Sequence, residues 1–282
     1  MGHKLVQGIM TTLPGNFQIP IASKCNLHCR NCGFMDYYMS GKGTIEKTMN
    51  VDDVIYLDKK ITDLNLKLNE IELFGGEPTI NPKFSEIVDY LQTRRGKFFD
   101  KMRCFTNGLN LTKSVVESLK VMDRIDISVY PIDDTSIYDF EKTWESSKIS
   151  KILDVCIHGR EEFHYPIEEF DLPKETDIQA IYDACYQKDG CRVMVMDGIY
   201  RCGMIHHERT EIYPFDRDLL IDRFITNSNQ PLEHCKNCGE ATAIYLDSIG
   251  KSHLYKKKWK SNKLDVDTKN FKRGLKLMRE YD

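Results

Sequence analysis

Apolar and polar positions along the chain switch repeatedly between a two-residue and a three-to-four-residue period. Phe17-Gln18-Ile19-Pro20-Ile21-Ala22 reads as a first strand, whereas Val54, Leu57, Ile61, Leu64 and Leu68 recur at helical spacing and predict a helix over roughly 51–68. Glu70-Ile71-Glu72-Leu73-Phe74 is a short strand stopped by Gly75-Gly76, and Phe84, Ile87, Val88 and Leu91 mark a second helix. Strands are read again over 102–106, closed by Asn107-Gly108, over 124–129, closed by Pro131, and over 153–157; Val115, Val116 and Leu119 mark a helix between the first two. Strands alternating with helices predict parallel βαβ units in an α/β sheet or barrel. In such folds chemistry gathers at the carboxyl ends of the strands. The stretches at Cys25, Gly75, Asn107 and Ser128 all follow strands, which places them on one rim.

The pattern changes after about residue 170. Strand-like pieces over 192–196 and 199–201, joined by a turn at Asp197-Gly198, lie between cysteines and predict a small α+β unit over 171–250, distinct from a core over 15–170. The tail, 251–282, carries 11 Lys and Arg against 4 Asp and Glu, an excess of +7; with -3 for the whole chain, the remainder stands at -10. Phe271, Leu275 and Met278 form an apolar stripe there and predict a terminal helix packed on the body. The run Lys256-Lys257-Lys258 reads as a solvated face, the other reading being attraction of an acidic or phosphorylated partner.

At 282 residues the chain has room for about two domains. A hydrophobic content of 41% with 9 Pro and 17 Gly excludes a disordered or collagen-like chain. No apolar run approaches the ~18 residues of a membrane span. Met1 to Thr12 lacks the apolar core of a signal peptide, so a cytoplasmic protein is expected, with neither membrane nor nucleic acid as partner.

Ten cysteines stand out against that background, and eight of them form two clusters. In a reducing compartment clustered cysteines bind metal or do chemistry more often than they form disulfides. Cys104 and Cys156, each alone in an apolar stretch, read as buried thiols. The first cluster, Cys25-Asn26-Leu27-His28-Cys29-Arg30-Asn31-Cys32, is C-x3-C-x2-C. Three thiolates on one loop can hold three irons of a [4Fe–4S] cube and leave the fourth iron open to a substrate or cofactor. A structural zinc site, the alternative, would require a fourth ligand nearby.

This loop after a first strand resembles the signature of the radical S-adenosylmethionine (radical SAM) superfamily. Three further stretches match in order: Gly75-Gly76-Glu77-Pro78 resembles the family's GGEP motif, Thr106-Asn107-Gly108 ends the next strand, and Ser128 ends the strand after it. The resemblance covers roughly 17–160. It implies a partial (β/α)6 TIM-like barrel, a [4Fe–4S] cluster on Cys25, Cys29 and Cys32, and S-adenosylmethionine (SAM) held near Gly75, Gly76, Glu77, Asn107 and Ser128. Exposed peptide groups of this motif and the Glu77 carboxylate would receive the methionine amine, and Ser128 the ribose. The family usually carries an aromatic residue before the third cysteine; Asn31 stands here, and Phe34 is the candidate adenine contact. The resemblance also implies reductive cleavage of SAM to methionine and a 5′-deoxyadenosyl radical, which takes a hydrogen atom from a substrate, and a reducing partner such as flavodoxin or ferredoxin.

The second cluster, Cys185, Cys191, Cys202, Cys235 and Cys238, resembles the cysteine-rich hairpin of SPASM and twitch domains. That resemblance implies an auxiliary [4Fe–4S] cluster; five cysteines suit a twitch-like domain with one cluster, and a zinc ribbon is the alternative. Four available thiolates favour full ligation and electron acceptance. A base should then lie near the substrate radical. Cys156, His158 and Arg160 alternate along one strand and are the candidate catalytic residues; Cys156 or Cys104 could instead return a hydrogen atom, giving epimerisation. The expected activity is oxidation of a hydroxyl or amino carbon in a carbohydrate, aminocyclitol or nucleoside-like metabolite. Modification of a ribosomal peptide is the second expectation, weakened by the 24 residues preceding Cys25, too few for a peptide-recognition domain. A zinc-binding interaction protein is the third.

Overall fold

The computed structural model describes residues 10–27, 32, 48–129, 142, 144–145, 147–153, 155–159, 172, 176–185, 188, 190–202, 211–232, 235 and 238–256, the side chains of 129, 157–159, 191, 239–240 and 255–256 excepted. Among the described residues eight strands form one sheet in the order β5-β4-β3-β2-β1-β6-β7-β8. They are β1 (Thr11–Ala22), β2 (Leu66–Gly75), β3 (Phe99–Thr106), β4 (Arg124–Val129), β5 (Val155–Gly159), β6 (Cys191–Val195), β7 (Gly198–Tyr200) and β8 (Ile212–Tyr213). Pairing is parallel from β5 through β6 and antiparallel from β6 to β8. Helices α1 (Val51–Thr62), α2 (Phe84–Arg94) and α3 (Lys113–Leu119) make the crossovers between β1, β2, β3 and β4. The fold is thus the expected α/β class, a parallel-dominated sheet.

The alternation along each strand sorts the residues to two faces. Phe17, Ile19, Ile21, Ile71, Leu73, Met102, Cys104, Ile125 and Ile127 form one apolar face, buried in a common core with Val54, Leu57, Ile87, Leu91 and Val116 of the helices. The opposite face is polar. Glu72 accepts from Asn16 Nδ2 at 2.9 Å, Gln18 Nε2 at 3.1 Å and Arg103 Nη1 at 2.9 Å. Arg103 and Arg124 both pair with Asp126, which has no exposed surface. Two carboxylates and two guanidiniums therefore cancel across β2, β3 and β4. A buried network of this kind holds its members in place because removing one leaves an uncompensated charge.

Helix α1 opens on a capping box between Asn50 and Asp53 and ends at Thr62, six residues earlier than the helical spacing predicts. Asn65 turns the chain at φ 55°, and β2 starts at Leu66. Leu64 and Leu68 fit a helical repeat after Ile61, but Leu64, Leu66 and Leu68 equally fit a strand, and the turn at Asn65 selects the latter. β5 likewise starts two residues later than expected, after a 3₁₀ turn at Ile149–Lys151.

The sheet does not stop at the carboxyl-terminal cysteines. β6 adds to the free edge of β1 through Asn16↔Cys191, Phe17↔Arg192 and Gln18↔Val193. Phe224 packs edge-on against Phe17 at 5.9 Å, and the Arg192 guanidinium lies over both rings. The remaining helices among the described residues are α4 (Ile178–Ala184), α5 (Arg217–Ile221), which continues into a π-turn over Asp222–Thr226, α6 (Gly239–Ser248), packed on α4, and α7 (His253–Lys256). The expected boundary at 170/171 and the stripe Phe271, Leu275 and Met278 lie outside the described residues. No described helix is long and apolar enough to cross a membrane.

Candidate active site

The carboxyl ends of β1, β2 and β3 converge on the Cys25 loop. β1 runs out at Ala22, and the chain then passes directly over the end of β2. There Gly76 N donates to Ala22 O and Glu77 N to Lys24 O, each at 2.8 Å. The two glycines permit this approach. A Cβ on Gly75 (φ +140°) would stand 2.3 Å from Ala22 O, and one on Gly76 2.2 Å from Lys24 O. Their freedom is spent on the cysteine loop's own backbone.

Glu77 locks the arrangement from below. It is 1% exposed. Its Oε1 accepts from Thr79 N (3.1 Å), Thr79 Oγ1 (2.6 Å) and Thr106 Oγ1 (2.7 Å), and its Oε2 from Asn107 N (2.7 Å). Burial pushes its carboxyl up; the Thr79, Asn107 and Thr106 donors pull it back. Both oxygens are thus held by protein donors, while Gly75 and Gly76 stay partly exposed beside the loop.

Asn107 closes the circle. Its side-chain oxygen accepts from Leu109 N at 3.0 Å, so its amide nitrogen faces the loop, donating to Asn26 Oδ1 at 2.7 Å and to Cys25 Sγ at 3.8 Å. Cys25 Sγ also accepts from Leu27 N at 3.4 Å. Burial, and after it the charge of Glu77, push the Cys25 thiol up to about 12, with Cys32 close enough to add to the rise. A cation bound to the sulfur reverses that bias and releases the proton. Cys25 and Cys32 both pack against Val193, Val195 and Tyr200 of the β6–β7 hairpin, an apolar wall beside the loop. Cys29, Asn31 and Phe34 lie outside the described residues.

Further positions fall on the polar face below this rim. Ser128, next to last in β4 and partly exposed, pairs in register with His158; Cys156 stands opposite Asp126. Cys156 therefore shares the face of Arg103 and Asp126, while Cys104 is wholly buried on the helix side. Of the two single thiols, only Cys156 has access to the polar face. Arg160 and the His158 side chain are outside the described residues.

In the carboxyl-terminal region Cys185 caps α4, Cys202 follows β7, and Cys238 caps α6. Cys235 is 8% exposed; burial pushes its thiol up, Cys185 adds to the rise, and the Leu232 amide and Arg201 guanidinium oppose it. Arg201 is itself buried. It donates to the Tyr182 hydroxyl at 3.1 Å and to Ser228 O, both neutral, and no described carboxylate lies within ion-pair distance of it. A buried cation whose described partners are all neutral is costly, and the Cys235 thiol lies near enough to feel its charge. Neither Arg201 nor the Glu72–Arg103–Asp126 network figured in the sequence reading. The alternation Asn16/Gln18, Glu70/Glu72 and Arg124/Asp126 inside apolar strands was the visible signal for the latter. Among the described residues no three His, Cys, Asp or Glu side chains are gathered closely enough to hold a metal ion; Cys29 and the Cys191 side chain lie outside them.

The structure is thus of the α/β class, with a parallel sheet whose rim carries a cysteine loop pinned by glycines and a buried glutamate and backed by an apolar wall. Residues 19–161, just over half of the chain, match the model of the Radical SAM superfamily, and the chain belongs to that superfamily. A relative from Methanococcus maripaludis (strain S2), named Probable GTP 3′,8-cyclase, is 23% identical over 264 residues, covering 83% of this chain and 82% of its own. A second, from Pyrococcus abyssi and of the same name, is 28% identical over 158 residues, 54% of this chain and 45% of its own. Among solved structures, anSMEcpe with bound AdoMet superposes with a TM-score of 0.52 at 14% identity, covering 95% of this chain and all of that one, which shows the shared fold. Streptococcus suis SuiB bound to S-adenosylmethionine gives 0.50 at 13%, covering 84% and 74%. Family membership implies a [4Fe–4S] cluster and SAM. The thiol pair Cys25 and Cys32, with amide donors at the Cys25 sulfur and an apolar wall, fits such a cluster, and zinc is set aside for this loop.

Proposed function

We propose that this enzyme oxidises a hydroxyl or amino carbon of a carbohydrate, aminocyclitol or nucleoside-like metabolite, with an auxiliary [4Fe–4S] cluster on the carboxyl-terminal cysteines taking up the electron. When bound, the amino-terminal cluster and SAM supply the 5′-deoxyadenosyl radical. The substrate then loses one hydrogen atom to that radical, one proton to a base and one electron to the acceptor. The observation that carries this reading is Arg201, a buried cation with only neutral hydrogen-bond partners among the described residues, next to Cys202 in sequence and near enough to Cys235 to act on its thiol, as Cys185 does. An anionic thiolate cluster would balance a buried guanidinium whose described partners are neutral. The polar face of β2–β4 supports a polar substrate, and His158, the register partner of Ser128, is the candidate base, with Arg160 two residues further on. Cys156, on the same face, is the thiol that could return a hydrogen atom.

The relatives named Probable GTP 3′,8-cyclase favour a second reading, radical cyclisation of a purine nucleotide. The two differ in mass balance: oxidation removes two hydrogens from the substrate, whereas cyclisation within one molecule leaves its mass unchanged. Specifically deuterated sugars, cyclitols and GTP, incubated anaerobically with SAM and reductant, should distinguish them. Deuterium in 5′-deoxyadenosine with a product two hydrogens lighter is the expected result; a product isomeric with GTP would overturn it in favour of cyclisation. Replacing Cys235 and Cys238 with alanine should lower iron by about four atoms per chain and block product while sparing SAM cleavage. Unchanged iron and turnover would remove the auxiliary cluster.

A further inference from the structure

Asn107 is expected from the sequence to contact SAM, yet its side chain is committed elsewhere. The Leu109 amide fixes Oδ1 as the acceptor at 3.0 Å, which settles the orientation of the carboxamide. Both amide hydrogens then point at the cysteine loop, toward Asn26 Oδ1 at 2.7 Å and Cys25 Sγ at 3.8 Å. The backbone beneath is equally fixed, because Asn107 N donates to Glu77 Oε2 at 2.7 Å and Glu77 is held by Thr79 and Thr106. The residue is 6% exposed, so water does not compete for these bonds.

We infer that Asn107 is a positioning residue for the amino-terminal cluster, an outer-sphere donor whose side-chain N–H to the Cys25 sulfur makes that cluster easier to reduce. A hydrogen bond to a ligating sulfur strengthens as charge accumulates on it, so it favours the reduced form and raises the potential. Leu27 N supplies a first such donor at 3.4 Å, and Asn107 supplies the second from across the site, 82 residues away in sequence. The surroundings otherwise oppose reduction. The loop lies against Val193, Val195 and Tyr200, and the buried Glu77 carboxyl acts on Cys25 from below. Low polarity and a nearby negative group both disfavour an added electron. A preorganised amide dipole offsets part of that penalty without adding charge, and it costs no rearrangement when the electron arrives.

The test uses full-length protein carrying Cys235→Ala and Cys238→Ala, reconstituted anaerobically, so that the amino-terminal cluster reports alone. In that background Asn107→Ser and Asn107→Asp should each keep about four irons per chain. The midpoint potential, followed by electron paramagnetic resonance, should move to more negative values, with the equilibrium for reduction falling several-fold in Asn107→Ser and further in Asn107→Asp; a tenfold fall corresponds to about 59 mV. Iron retained with an unchanged potential in Asn107→Ser would overturn the inference. Should either variant fail to hold iron, the unsubstituted enzyme still decides. Asparagine labelled with ¹⁵N at the side-chain nitrogen should show a weak nitrogen coupling to the reduced cluster in pulsed resonance, and its absence would overturn the inference equally. The outcome is independent of the substrate, since neither measurement requires turnover.

Discussion

Alanine at position 76 should empty the Cys25 loop while leaving the rest of the sheet folded. The added methyl would meet Lys24 O at 2.2 Å, Lys24 C at 2.4 Å and Cys25 N at 2.9 Å. All three are backbone atoms, so no rotamer change relieves the clash. The loop itself must move, breaking the hydrogen bonds from Gly76 N to Ala22 O and from Glu77 N to Lys24 O. Overpacking of this kind costs about 1–3 kcal/mol or more, and here the displaced atoms belong to the first cluster ligand. Reconstituted Gly76→Ala should contain about four fewer irons per chain than the unsubstituted enzyme and should not cleave SAM, with an unchanged circular dichroism spectrum. Full iron and full cleavage would show that the loop does not depend on this contact.

Replacing Cys25, Cys29 and Cys32 together with alanine should abolish 5′-deoxyadenosine formation and remove the same four irons, leaving only the iron of the proposed auxiliary cluster. The effect should be all-or-none, because the thiolates are both the anchor of the cluster and the source of its open iron. Thiols that merely packed the rim would behave differently. Cys25 and Cys32 touch the apolar wall of Val193, Val195 and Tyr200, and alanine there would cost stability and spare chemistry. Persistent cleavage in the triple variant would mean that the cluster sits elsewhere.

Much of this architecture was legible from sequence, for identifiable reasons. The strand over 124–129 was read with its observed ends because Ile125 and Ile127 alternate with polar Asp126 and Ser128 between clear stops. The order of Cys25, Gly75, Asn107 and Ser128 along successive strands placed the rim, since parallel strands put their carboxyl ends side by side. The end of α1 was not legible, because Leu64 and Leu68 satisfy both periods and only the turn at Asn65 decides between them. The extension of the sheet through β6 was hidden for a different reason. It depends on an edge pairing between Asn16 and Cys191, which no local pattern announces. The roles inside the motifs were the least visible. Gly75-Gly76 and Glu77 signal a close approach and a carboxylate, but a sequence does not say that the approach is to Lys24 or that the carboxylate is filled by Thr79, Thr106 and Asn107. Arg201 was silent altogether, since burial with only neutral partners among the described residues is a property of three dimensions.

The claim on which all else depends is that the Cys25 loop carries a cluster with an iron free to bind SAM. Electron paramagnetic resonance of the dithionite-reduced enzyme, with Cys235 and Cys238 replaced by alanine, measures it directly. Addition of saturating SAM is expected to change the g-values of a [4Fe–4S]⁺ signal. A spectrum indistinguishable with and without SAM, or no cluster signal at all in protein prepared without air, would contradict the account.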